Sequence, residues 1–151
     1  MNRKKLIIHR VISFTLLLAV MVTIYCLSAQ DSTDSAEASN SVVSWLYELL
    51  KIDLPNGTVR TIAHGCEFAA LGFLMLNALR SLRSDFKVVS SVIISFIYAI
   101  TDEIHQLFVP GRAFQLTDLA VDLTGIILGT TAFLILVKIT EKRKSVVSGK
   151  T

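Results

Sequence analysis

Residues 87–112 read KVVSSVIISFIYAITDEIHQLFVPGR: an apolar run closing on Asp102, Glu103, His105 and Gln106, then Val109-Pro110-Gly111-Arg112. From Lys87 to Gln106 the run is long enough to cross a bilayer as a helix, at about 1.5 Å per residue against roughly 30 Å of hydrocarbon. Ionisable groups at the end of such a helix are costly in lipid, so their placement needs a physical reason.

Three other stretches approach the same length: Leu6 to Leu27, Arg60 to Leu82 and Leu116 to Val137. The chain has 151 residues, 52% hydrophobic and only 18% charged, with a mean hydropathy of +0.61. This composition predicts an all-α membrane protein, a single domain over residues 1–151 with four transmembrane helices. The first stretch follows Arg3, Lys4 and Lys5, as a signal peptide would. Its apolar run is long for a signal core, and Cys26-Leu27-Ser28-Ala29-Gln30 fits a small-residue cleavage site poorly, so a retained helix is expected.

Orientation follows from the basic residues. Twelve of the fifteen lie at the N-terminus up to Arg10, around the second connection at Arg80, Arg83 and Lys87, or in the tail 138–151. Only Lys51, Arg60 and Arg112 fall elsewhere. The positive-inside rule then places both termini in the cytoplasm and turns residues 28–60 and 107–115 outward. A net charge of +3 is thus a topology signal, and the basic tail can rest on anionic lipid. Nucleic acid is excluded as a partner, because the basic residues split into three juxtamembrane clusters. Ten of the twelve acidic residues take the opposite, outer side.

Helical spacing collects these polar residues into faces. Arg60, His64 and Glu67 share one face of the second helix; Asp102, His105 and Gln106 share one on the third. On the fourth, Asp118 and Asp122 continue into Gly125 and Gly129, a small-xxx-small seam that lets another helix approach closely. Glu67 and Asp122 lie about 10 Å inside their helix starts, the depth that Asp102 to Gln106 reach from the other direction. The expectation is one polar layer between helices in the outer leaflet.

The connection from Gln30 to Ser41 is rich in Asp, Ser, Thr, Glu and Asn and reads as solvated. Val42, Val43, Trp45, Leu46, Leu49 and Leu50 then recur at helical spacing over too few residues to span. They predict a short amphipathic helix at the outer interface, with Trp45 and Tyr47 as belt residues, or a lid over the bundle. Pro55-Asn56-Gly57 turns the chain into the second helix. Cys26 and Cys66 lie at similar depth, where a disulfide is conceivable and ordinary apolar packing is the plainer reading.

Ser28-Ala29-Gln30, Arg60 with His64 and Glu67, the run Asp102 to Arg112, and Asp118 with Asp122 and Gly125 together resemble the VanZ family. The resemblance covers nearly the whole chain and rests most on Asp102 to Arg112. Ala29 stands where another serine is usual, and Gly65-Cys66 replaces more aromatic residues. It implies a small integral protein of the bacterial cytoplasmic membrane associated with low-level resistance to glycopeptide antibiotics such as teicoplanin. It implies no particular reaction.

Chemistry leaves three readings open. In the first, the layer binds a lipid head group, a cell-wall precursor or a lipoglycopeptide. Arg60 and Arg112 grip phosphate or carboxylate, while Asp102, Asp118, Asp122 and Gln106 hold amine, amide or hydroxyl groups. In the second, the layer is a hydrolase or transferase site in which Glu67 or Glu103 acts as general base beside His64 or His105. A metal version of it gathers His64, Glu67, Asp102, His105, Asp118 and Asp122 around zinc or manganese. In the third, salt bridges from Arg60 to Glu67 and from Arg112 to Asp118 or Glu103 only tie helices together. No glycine-rich phosphate loop or nucleophilic serine motif is present. The ligand, the metal and the oligomeric state are not legible.

Overall fold

The computed structural model describes residues 3–31, 55–82 and 87–147, with single positions between 33 and 48. Four helices account for most of them: α1 (Arg3–Ser28), α2 (Asn56–Arg80), α3 (Lys87–Gln106) and α4 (Leu116–Val147). All four are long and apolar enough to cross a membrane, as a multi-pass protein requires. Asp31 opens the connection after α1 by accepting a hydrogen bond from the Thr33 amide at 2.9 Å, an N-cap arrangement. Thr33, Ser35, Glu37, Asn40, Ser41, Ser44 and Glu48 are helical, and of those up to Ser41 all but the half-buried Ser35 are exposed, as the solvated composition predicts. The predicted amphipathic face, Trp45 and Tyr47 included, lies outside the described residues.

Two helix boundaries differ from expectation. The second helix begins at Asn56 rather than Arg60, because the Pro55 carbonyl already accepts the amides of Thr58 and Val59. The fourth continues through the basic tail to Val147. Its 32 residues amount to about 48 Å of helix, so one end stands well clear of a bilayer roughly 30 Å thick. Between α3 and α4, Val109-Pro110-Gly111-Arg112 closes a tight turn. The Arg112 amide bonds to the Val109 carbonyl at 3.1 Å, and Gly111 has a φ of 72°, which only glycine adopts at little cost.

The helices alternate in direction. Ser28 at the end of α1 meets Asp102 near the end of α3, while Arg10 near the start of α1 donates to the Ser81 carbonyl beyond α2. We term these the polar and basic ends of the bundle. Helix α2 is central and contacts α1, α3 and α4. Around it are buried Leu17, Ile24, Phe68, Leu71, Met75, Ala78, Ala99 and Ile126.

The closest packing joins α2 to α4, which run parallel. A Cβ on Gly125 would strike the Gly65 carbonyl, one on Gly129 the Ala69 carbonyl, and one on Gly72 the Ile126 carbonyl at 2.5 Å. Backbone therefore lies on backbone, the close approach expected of a small-residue seam. Helix α3 uses the same economy of size. It buries Ser91, Ser95 and Ala99 on one stripe and turns Val88, Val89, Ile93, Ile94 and Ile97 outward, the arrangement lipid favours.

The seam predicts a graded response to added methyl groups. Gly129→Ala forces backbone apart and should cost about 1–3 kcal/mol, read as a lowered thermal midpoint in detergent. Gly57→Ala, where a Cβ meets nothing within 4 Å, should be neutral or stabilising by up to about 1 kcal/mol.

Candidate functional site

The parallel seam sets what faces what at the polar end. Arg60 and His64 stand four positions apart on α2, as Asp118 and Asp122 do on α4. Arg60 Nη2 accordingly lies 4.0 Å from Asp118 Oδ2, and His64 Nδ1 lies 3.5 Å from Asp122 Oδ1. His64 and Asp122 are buried. Their contact lacks hydrogen-bond geometry, and both Asp122 oxygens have no hydrogen-bond donor.

Helices α1 and α3 supply a second cluster. Asp102 Oδ2 accepts hydrogen bonds from the Ser28 hydroxyl at 2.8 Å and from Gln106 Nε2 at 3.1 Å. The three side chains are buried together, with Gln106 fully enclosed. Glu103, also fully buried, accepts the Gln115 amide at 2.8 Å and so ties the start of α4 to the end of α3. A carboxylate there also suits the positive end of the α4 dipole. His105 faces α1 as well, with its ring stacked on Tyr25 at 4.7 Å between centroids.

Arg112 leaves the turn to donate from Nε to the Gln30 carbonyl at 3.1 Å. Burial, and then the nearby charge of Arg60, pull its guanidinium below the usual arginine value. Between these elements opens a cleft of about 150 Å3. Arg60, His64, Glu67 and Arg112 line it with Ser28, and Leu27, Val59 and Ala63 add apolar wall. A second recess of about 180 Å3 on the other side of Arg60 and His64 is lined by Gly57, Thr61, Gln115 and Asp118.

The expected layer is thus present at one end of the bundle but divided. Arg60, His64, Glu67 and Arg112 share the main cleft, Asp118 and Asp122 back it, and Asp102, Glu103 and Gln106 are held in bonds behind. The six-residue donor set does not assemble. Among the described residues no three His, Cys, Asp or Glu side chains converge closely enough to hold one metal ion. The expected ion pairs differ as well: Arg60 reaches Asp118 instead of Glu67, and Arg112 takes a backbone carbonyl instead of Asp118 or Glu103. Cys26 and Cys66 are free thiols.

Four contributors escaped the sequence reading as site residues: Tyr25, Ser28, Gln30 and Gln115. Ser28 carried a signal, since it closes the first apolar run at the depth of Asp102. Gln30 holds Arg112 and Gln115 holds Glu103 through backbone atoms, which side-chain chemistry does not announce.

A family model described as VanZ/LLP1 matches residues 13–137, most of the chain, and the protein belongs to that family. No curated protein gives a significant match, and no solved structure does.

The Ser28 bond tests how the second cluster is held. Ser28→Ala removes one of two donors to a buried carboxylate and should destabilise by about 1–3 kcal/mol in thermal unfolding. An unchanged midpoint would show that Asp102 does not depend on it.

Proposed function

For this member of the VanZ/LLP1 family we propose a binding function at the outer face of the bacterial cytoplasmic membrane, toward a phosphate or carboxylate on a lipid-anchored head group. Lipids themselves, cell-wall precursors and lipoglycopeptides carry such groups beside a hydrocarbon chain. Capture of the last two accounts for low-level protection against teicoplanin-type antibiotics.

One observation carries this reading: two guanidiniums line one cleft with unspent donors. Arg60 Nε and Nη2 are buried without a hydrogen bond, although a buried unpaired donor costs about 1–3 kcal/mol. Arg112, in the same cleft, is bonded through Nε to Gln30 and makes no ion pair among the described residues. An anion between the two relieves their repulsion and takes a planar bidentate fork from each. Leu27, Val59 and Ala63 at the same wall accept hydrocarbon.

A hydrolase or transferase reading has one observation in its favour. His64 stands against the buried carboxylate of Asp122 and lines the same cleft as Glu67, the arrangement of an imidazole oriented for proton transfer. Its consequence differs: bound lipid would be converted, and His64→Ala would stop conversion while leaving binding intact.

Native mass spectrometry of the purified full-length protein with phosphatidylglycerol tests the binding reading. Arg60→Ala with Arg112→Ala should lower the retained lipid at least about tenfold. Equal retention by wild type and the double variant rejects the reading, and lipid recovered unchanged after incubation rejects the catalytic one. In cells of matched abundance, Arg112→Ala should lose the teicoplanin tolerance that wild type confers.

Orientation has its own readout. In a background lacking Cys26 and Cys66, Phe108→Cys should react with an impermeant maleimide applied to whole cells, and Lys144→Cys only after lysis.

A further inference from the structure

The main cleft holds a third charge, and it has the opposite sign. Glu67 lines the wall with Arg60 and Arg112. Among the described residues it accepts no hydrogen bond and makes no ion pair. The other acids at this end each face a partner: Asp118 lies by Arg60, Asp122 stands against His64 without a hydrogen bond, Asp102 accepts from Ser28 and Gln106, and Glu103 accepts the Gln115 amide. Glu67 is half-buried and stays in reach of the cleft.

If the cleft took a simple anion, a carboxylate in its wall would oppose binding. We propose that the ligand is zwitterionic, with its phosphate or carboxylate between Arg60 and Arg112 and a protonated primary amine a few bonds away on Glu67. The inference rests on the binding function proposed above and narrows it from anionic head groups to those that also carry an ammonium. A charge-assisted bond from the amine satisfies Glu67 without disturbing any contact the fold already makes. His64, paired on its far side with Asp122, adds a polar wall beside the amine.

Ethanolamine-type phospholipid and soluble amino-phosphates share this chemistry, and the two sources separate experimentally. The wild-type protein and Glu67→Gln are equilibrated with equal amounts of phosphatidylethanolamine and phosphatidylglycerol, and retained lipid is read by native mass spectrometry. The ratio of the two should fall about tenfold in Glu67→Gln, while phosphatidylglycerol retention holds or rises. An unchanged ratio overturns the amine assignment and leaves the anion reading standing. Loss of that reading shows separately, as retention indifferent to Arg60→Ala with Arg112→Ala.

A second measurement needs no Glu67 variant. Soluble phosphoethanolamine should displace lipid from the wild type at about tenfold lower concentration than glycerol 3-phosphate. Equal displacement overturns the proposal. Displacement by neither assigns recognition to the lipid-attached head group, and the retained-lipid ratio then decides.

Discussion

Everything at the polar end depends on the glycine seam between α2 and α4. Because Gly65, Ala69 and Gly72 lie backbone to backbone against Gly125, Gly129 and Ile126, the two helices cannot slide past one another without steric collision. Pairs therefore form between them along the whole bundle. Arg60 meets Asp118 and His64 meets Asp122 above the seam, Phe73 packs edge-on against Phe133 below it, and Arg80 meets Glu141 at the basic end. The exposed pair of Arg80 and Glu141 contributes little to stability on its own. Van der Waals contact at the seam sets the geometry, and the polar pairs inherit it. In lipid, where helices gain nothing by hiding apolar surface from each other, such close contact is the available driving force.

A fixed register explains how so many ionisable groups fit into one end of a small bundle. Asp102 and Glu103 are buried, yet each is answered by a donor on a different element: Ser28 from α1 and the Gln115 amide from the start of α4. These bonds also tie the bundle together where the turns would otherwise splay it. What remains after that partition is the cleft, with Arg60, Glu67 and Arg112 at its wall. The polar layer is two layers, one that holds helices and one that lines the cleft.

The sequence carried the architecture because lipid imposes it. A helix of bilayer length, a basic flank and a small-xxx-small repeat have few alternative structures, and the four helices follow them. Which polar residues share a face was legible from spacing: Arg60, His64 and Glu67 do line one cleft. Their partners were not legible. Arg60 was expected to find Glu67 seven residues along its own helix, but the seam delivers Asp118 from α4 instead. Pairing across helices depends on interhelical register, which no single segment encodes. His105 shares a face with Asp102 by spacing, and both meet α1, Asp102 at Ser28 and His105 at Tyr25, although neither partner is visible in the spacing. Likewise the length of α4 exceeded expectation because hydropathy ends where lipid ends, whereas helix propensity continues through Lys142, Arg143 and Lys144.

A network serving only to join helices would be built differently. Stabilising ion pairs in a low-dielectric setting need short, well-aligned contacts that satisfy every donor and acceptor, since desolvation otherwise exceeds the Coulombic gain. Here the two cross-seam pairs are 4.0 Å and 3.5 Å apart, and Arg60, His64 and Asp122 retain buried atoms without hydrogen bonds. Replacing such pairs by apolar residues would ordinarily cost nothing or add stability. The α2 and α4 interface, moreover, is already held by glycine contact and by Thr130 donating to the Gly72 carbonyl deeper in the bundle. Loosely paired charges beside a seam that does not need them are better explained by what they face. They line an open cleft in which both guanidiniums and one carboxylate still have bonding capacity, and the zwitterionic ligand proposed above would use all three.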